Sequence, residues 1–208
     1  MTYYKWLDTG RTAHAGFQWP ECGEWVTVQG EIIPCENGIH YCRESDLLWW
    51  INAELYTFEP DESEVVEHNE TEATKLVCRR GRLVEQVTTW SGRTTRLFAA
   101  DCAEHVLHLF EQEYPNDTRP REAIETARRY ANGEVSAGEA SAAKSAAKSA
   151  AQSAAWSAAK SAACAAAKSA AWSAARYAAW YAAWSAAEDA EREWQSARLL
   201  DYIEGRAG

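Results

Sequence analysis

From Glu139 to Glu204 the chain contains neither glycine nor proline, so nothing in those 66 residues breaks a helix. No apolar run is long enough to cross a bilayer. Lysines interrupt the alanine-rich tract, and uncharged stretches such as Tyr177–Ala187 fall well short of the roughly 20 residues a span needs. No apolar secretory segment follows Met1–Lys5, so the expectation is a cytoplasmic protein whose six cysteines are reduced. A basic excess is also missing. The net charge of −10 divides into −8 for residues 1–95, −4 for 96–140 and +2 for 141–208, which argues against a nucleic-acid-binding surface on the N-terminal part. A P-loop, a G-x-S-x-G turn and a Ser/His/Asp arrangement are all lacking.

What is present suffices for a real core. Apolar residues make up 47% of the 208, and eleven are tryptophan. Residues 1–92 read as a small β-rich module. "EWVTV" (Glu24–Val28) alternates, "KLVCR" (Lys75–Arg79) is strand-like, and glycine, proline and asparagine punctuate at short intervals. One helix is expected there, capped by Ser45 and carrying Leu47 to Ile51, followed by an exposed acidic loop over 59–72 around a short strand at Val65–Val66. Residues 93–135 read as two amphipathic helices. Arg96–Tyr114 places Phe98, Cys102, Val106, Leu109 and Phe110 on one stripe. "YPNDTRP" (Tyr114–Pro120) ends it and starts a second helix with Asp117 or Thr118 near the N-cap, Pro120 in the first turn and a stop at Asn132–Gly133. The fold class expected is α+β: this β module, then an all-helical, alanine-rich region with a very long or hairpinned helix over 136–205.

That last helix opens with a capping box, "SAGE" (Ser136–Glu139). As one helix it would run roughly 100 Å at about 1.5 Å per residue; a hairpin near Cys164 is the alternative. Its four-residue repeat overshoots a turn by about 40°, so no heptad seam can form. Its paired alanines favour helix and close approach, and the aromatics supply the packing area. Trp172, Tyr177, Trp180, Tyr181, Trp184 and Trp194 fall on about half the circumference, a face suited to core packing, an oligomer interface or ligand stacking. Lys144, Lys148, Lys160 and Lys168 lie toward the start and Glu188, Asp189, Glu191 and Glu193 toward the end, opposite to the helix dipole's preference. Tertiary or quaternary packing explains such a helix better than intrinsic propensity.

Three constellations carry possible chemistry. Cys22, Cys35, His40 and Cys42 are ligand types suited to zinc, but no C-x2-C knuckle accompanies them, so buried reduced cysteines are the competing reading and no cofactor is expected. Asp101, Glu104, His105 and His108 share one helix stripe, which reads as a solvated polar face before it reads as a metal site. Arg119 and Arg121 flank Pro120 at a helix start, with Arg128 further on. They form a candidate anion or phosphate site whose competing reading is intramolecular pairing with Asp117, Glu122 or Glu125.

The residues "YKW" (Tyr4–Trp6), "AGFQW" (Ala15–Trp19), "GEI" (Gly30–Ile32) and "PCENGIHYC" (Pro34–Cys42) resemble an uncharacterised domain common in phage proteins, over about the first 90 residues. "FAADCAEHVLHLFE" (Phe98–Glu111) and "PNDTRPREAIETARRYANGE" (Pro115–Glu134), followed by the alanine tract, resemble the alanine-rich helical immunity proteins of bacteria and phages, over residues 96–200. This second resemblance implies an all-helical, non-catalytic protein of the bacterial host cytoplasm that binds and neutralises a toxin or other effector. "NGIHYCRESDLLWWI" also resembles the strand and helix with which ADP-ribosyltransferases hold nicotinamide; it would make Glu64 or Glu67 the catalytic glutamate.

Together these readings lead to a non-enzymatic binding protein that sequesters a host or phage effector protein or a nucleotide signal. The alternatives are a homo-oligomer assembled through the alanine-rich helix and an ADP-ribosyltransferase-like enzyme.

Overall fold

The computed structural model describes residues 2–13, 16–61, 65–69, 74–143, 145–146 and 189–207. Most of the alanine-rich tract, and with it the long-or-hairpinned helix expected there, lies outside the described residues. Chain contacts divide the protein into two units, residues 1–92 with 198–208 and residues 93–197.

The first unit is an antiparallel sheet of seven strands: β1 (Tyr3–Leu7), β2 (Val26–Thr27), β3 (Ile39–Arg43), β4 (Glu54–Pro60), β5 (Val65–Asn69), β6 (Thr74–Cys78) and β7 (Arg80–Gln86), in the order β2-β7-β4-β1-β3-β6-β5. β1 is central. It pairs with β4 over its whole length but with β3 only at Tyr3–Arg43 and Tyr4–Cys42. Alternation along the strands separates two faces. Leu7, Ile39, Tyr41, Tyr56, Phe58, Leu76, Cys78 and Leu83 gather on one face with Trp19 from the long β1–β2 connection. On the other face Trp6 donates its indole N–H to the Leu47 carbonyl (3.1 Å) and meets Trp90 edge-on at 5.3 Å. Residues 189–203 are helical, and Leu199, Tyr202 and Ile203 are buried. Within this unit the Thr89 hydroxyl donates to the Ile203 carbonyl.

Two local expectations change. The helix expected behind a Ser45 cap is a 3-10 helix, Glu44–Trp50, whose N-cap is Arg43 without a side-chain bond; the Ser45 hydroxyl turns to Asp46 instead. The acidic loop is shorter than expected, because β4 extends to Pro60 and β5 spans five residues with Val66 opposite Val77.

Lys5 stands on the core face between Tyr3 and Leu7 and is only 7% exposed. Its ammonium donates to the His40 carbonyl at 2.5 Å and lies 4.9 Å from the centre of the Trp19 ring, so a hydrogen bond and a ring face replace part of its lost hydration. Burial lowers its pKa from 10.5 to about 8. Burial also pushes the nearby Cys42 and Cys78 thiols up to about 12, so both are uncharged at neutral pH.

In the second unit, α1 (Gly92–Glu113) and α2 (Arg119–Ala131) form an antiparallel pair. Pro120 lies in the first turn of α2, Arg128 and Arg129 lie in its last, and Asn132 and Gly133 (φ +76°) end it. The capping box forms: the Ser136 N–H donates to Glu139 Oε2 at 2.9 Å, and the Glu139 N–H donates to the Ser136 hydroxyl at 3.3 Å. Residues 137–143 are helical after it.

Two predictions follow for the sheet. Gly38 has φ +146°, and a Cβ there would collide with Val77 Cγ1. Gly38→Ala is therefore expected to cost about 1–3 kcal/mol in denaturant unfolding. For Lys5, the unfolded chain keeps the proton up to about pH 10.5 while the folded chain releases it near 8. The unfolded state then binds more protons in that interval, and rising pH favours folding. The raised thiols act in the opposite direction above pH 9 in both proteins. The stability of wild type relative to Lys5→Met should accordingly rise by up to about 3 kcal/mol between pH 8 and 10.5, read from urea melts at several pH values.

Candidate functional site

α1 carries two apolar stripes, and its packing on α2 uses only one. Ala100 and Leu107 meet Ile124 and Ala127 of α2. Along the same seam Arg93 donates to the Asn132 side chain, the Arg96 guanidinium lies 4.9 Å from the Tyr130 ring centre, and Arg121 holds Glu111 through two hydrogen bonds of 2.8 Å. At its centre Arg128 reaches Asp101 at 2.6 Å and Glu104 at 2.5 Å. Asp101 is only 7% exposed, and a carboxylate so placed requires a cation. The apolar stripe expected on this helix is only partly covered. Phe98 is buried and Cys102 and Phe110 are half-buried, but Val106 is 38% and Leu109 60% exposed. Apolar contacts and the Asp101–Arg128 pair together occupy the stripe that α2 covers.

The outward stripe runs Ala99, Cys102, Val106, Leu109 and Phe110, about three turns or roughly 16 Å of helix. Phe110 leans on Tyr114, with ring centres 5.1 Å apart. An apolar helix face of this length is the form that docks into a groove of another protein.

The polar stripe is engaged as well. His105 donates from Nδ1 to Glu191 Oε2 at 2.6 Å, and its ring stacks on Trp194 at 3.8 Å and 4°. His108 donates from Nδ1 to the His105 carbonyl at 3.0 Å. Of the stripe expected as a solvated polar face, Glu104, His105 and His108 are exposed, although Glu104 and His105 also pair with Arg128 and Glu191; Asp101 alone is buried. Of the aromatic residues expected to share one face, Trp194 alone is described, packed on His105; Trp172, Tyr177, Trp180, Tyr181 and Trp184 lie outside the described residues.

The three arginines proposed to hold an anion do not converge. Arg119 turns back to Asp117, donating from Nε and Nη2 at 2.8 and 2.5 Å and holding that carboxyl below its usual range. Arg121 pairs with Glu111, and Arg128 with Asp101 and Glu104. The chain's own acidic excess supplies the anions, largely from other carboxylates than Glu122 and Glu125.

The zinc reading also loses its geometry. Among the described residues no three metal-ligating side chains come together. Cys22 and Cys35 are exposed, whereas Cys42 is buried with its Sγ toward the Tyr4 carbonyl at 3.6 Å. The His40 Nε2 accepts the Cys35 amide N–H at 3.0 Å, which uses the lone pair a metal would need. Glu64 lies outside the described residues. Glu67 is described: it accepts from Arg43 Nη2 at 2.8 Å, and that bond holds it below the usual carboxylate range.

A cavity of about 350 Å³ lies beside this pair, lined by Tyr3, Tyr41, Arg43, Val65, Glu67 and Leu76. Pairing explains the grouping, because Glu67 stands opposite Leu76, Leu76 opposite Tyr41, and Arg43 opposite Tyr3. Sequence reading missed Tyr3, Tyr41 and Arg43. The usable signal was their shared parity along β1 and β3.

Comparisons with known proteins add identity to this geometry. Residues 1–96 match a domain of unknown function (DUF7666), and residues 85–202 match the family described as Imm-5 like putative immunity protein. No curated protein and no solved structure matches the chain. The second match spans more than half of the 208 residues, and the chain belongs to the Imm-5 like immunity protein family.

Proposed function

We propose that this chain is a non-enzymatic, immunity-type binding protein that recognises and sequesters an effector protein through the outward stripe of α1. Family membership supports binding of a partner in general. The observation that carries the surface is the exposure of Val106 and Leu109 on a helix whose other stripe is already packed. Single exposed apolar side chains are ordinary; a row repeating at helical spacing is an interaction surface. The partner chemistry that fits is an apolar groove, since the row from Ala99 to Phe110 centres on uncharged residues.

Self-assembly and the nucleotide form of sequestration have less support. Self-assembly through the alanine-rich helix concerns a tract outside the described residues. The nucleotide form of sequestration required the arginines that are paired to Asp117, Glu111, Asp101 and Glu104.

The test uses the full chain as bait in bacterial lysate beside a Leu109→Asp twin. An exposed position of this kind changes stability by less than about 0.5 kcal/mol, so the twin should melt as wild type does. We expect a protein retained by wild type and lost from Leu109→Asp, whose expression alone arrests growth and whose co-expression with this chain restores it. Equal retention by both baits, or arrest that co-expression does not relieve, contradicts the proposal.

A further inference from the structure

Residues 198–207 belong to the first unit, although the whole second unit, residues 93–197, separates them from residue 92 in sequence. The returning segment is complete in itself. Leu199, Tyr202 and Ile203 stand at i, i+3 and i+4, hence on one side of the helix, and are 1%, 2% and 7% exposed. A Schellman stop closes it. Gly205 takes φ +72°, its N–H donates to the Tyr202 carbonyl at 3.2 Å, and the Arg206 N–H donates to the Asp201 carbonyl at 2.8 Å. The Arg206 side chain also donates from Nε to Asp201 Oδ1 at 2.9 Å, so the segment's own atoms fix its ending.

The sheet has a face that needs such a cover. Alternation puts Leu55 and Val77 opposite the face that carries Tyr56, Leu76 and Cys78, and both are 0% exposed. A face so buried requires a second layer. Trp6, paired with Leu55 on the neighbouring strand, meets Trp90 and donates to the Leu47 carbonyl on this side, and the Trp90 indole N–H is tied to the Asn52 carbonyl at 3.0 Å. Thr89, the residue before Trp90, anchors the returning helix. Its hydroxyl donates to the Ile203 carbonyl, and Gly205 approaches so closely that a Cβ there would lie 3.2 Å from Thr89 Cγ2.

We infer that the Leu55 and Trp90 side of the N-terminal sheet is a helix-docking surface whose occupant is this chain's own segment 198–207. The ligand it takes is a short helix with apolar residues at i, i+3 and i+4 and a glycine stop, bound as a helix is bound in a groove. Tethering within one chain raises the effective concentration of that ligand and keeps the surface filled. The match to the domain of unknown function covers residues 1–96 only, so in this chain that domain is completed by residues outside the match. The outward stripe of α1 has no part in this contact: it offers a helix, whereas the sheet receives one.

Hydrogen exchange read by peptide mass on the full chain tests this. The reporters are β4 and residues 87–90, joined by the Val87 N–H bond to the Leu55 carbonyl at 2.9 Å. Leu199→Asp should empty the surface and speed exchange there by about tenfold or more, while Leu107→Ala, a buried change on α1, should leave these peptides as in wild type. A synthetic peptide of residues 194–207, added to Leu199→Asp, should restore their protection; the same peptide carrying Leu199→Asp should not. Ile203→Ala, a milder change on the same helix side, should give a smaller rise in the same peptides and serves where Leu199→Asp melts before the measurement. Wild-type exchange in both Leu199→Asp and Ile203→Ala, an equal rise in Leu107→Ala, or equal restoration by the two peptides overturns the inference.

Discussion

A charge removed from water has to be answered, and that requirement organises both units. In the helical unit it acts through Asp101, buried on α1 and held by Arg128 at 2.6 Å. Removing one partner of such a pair leaves an uncompensated buried charge, at a cost of about 3–5 kcal/mol. The rotation of α1 against α2 is thereby set. Leu107 goes in and Leu109 comes out, with the inward stripe held by the ion pair and by the Ala100–Leu107–Ile124 contacts. In the sheet the same requirement acts through Lys5, whose ammonium has the His40 carbonyl and the Trp19 ring in place of water.

The two units offer different kinds of surface. The helical pair presents a row of apolar side chains at helical spacing, which suits another protein. The sheet presents an open depression beside the Arg43–Glu67 pair. Immunity-type family membership applies to residues 85–202, so partner binding is assigned there, while the match over residues 1–96 is to a domain without a known role. Among the described residues no helix is long and apolar enough to cross a membrane.

What could be read from residues alone was governed by local chemistry. The Asn132–Gly133 stop, Pro120 in a first turn and the Ser136–Glu139 box were legible because each depends on a few neighbouring atoms, and all three form. The N-terminal sheet was legible as a class through its turn residues. β1 and β4 were not identified, since "YYKWL" and "ELYTFEP" place charged or bulky polar groups at positions that prove buried or paired. Which row of α1 faces α2 was not legible for a related reason. Phe98, Cys102, Val106, Leu109 and Phe110 form the more apolar row, and only the contact between Asp101 and Arg128, 27 positions apart, shows why α2 covers the other. The arginines near Pro120 were a sound local reading of an anion site, but their carboxylates come mainly from across the helix pair.

The orientation of α1 is the central claim, and thiol labelling measures it directly. Leu109→Cys and Leu107→Cys, each in the full chain, are exposed to maleimide under native conditions and read by peptide mass. The account predicts that the thiol at 109 reacts at the rate of a free cysteine while the thiol at 107 is protected many-fold. A thiol at 107 that reacts as fast as the one at 109, or a protected thiol at 109, would contradict it.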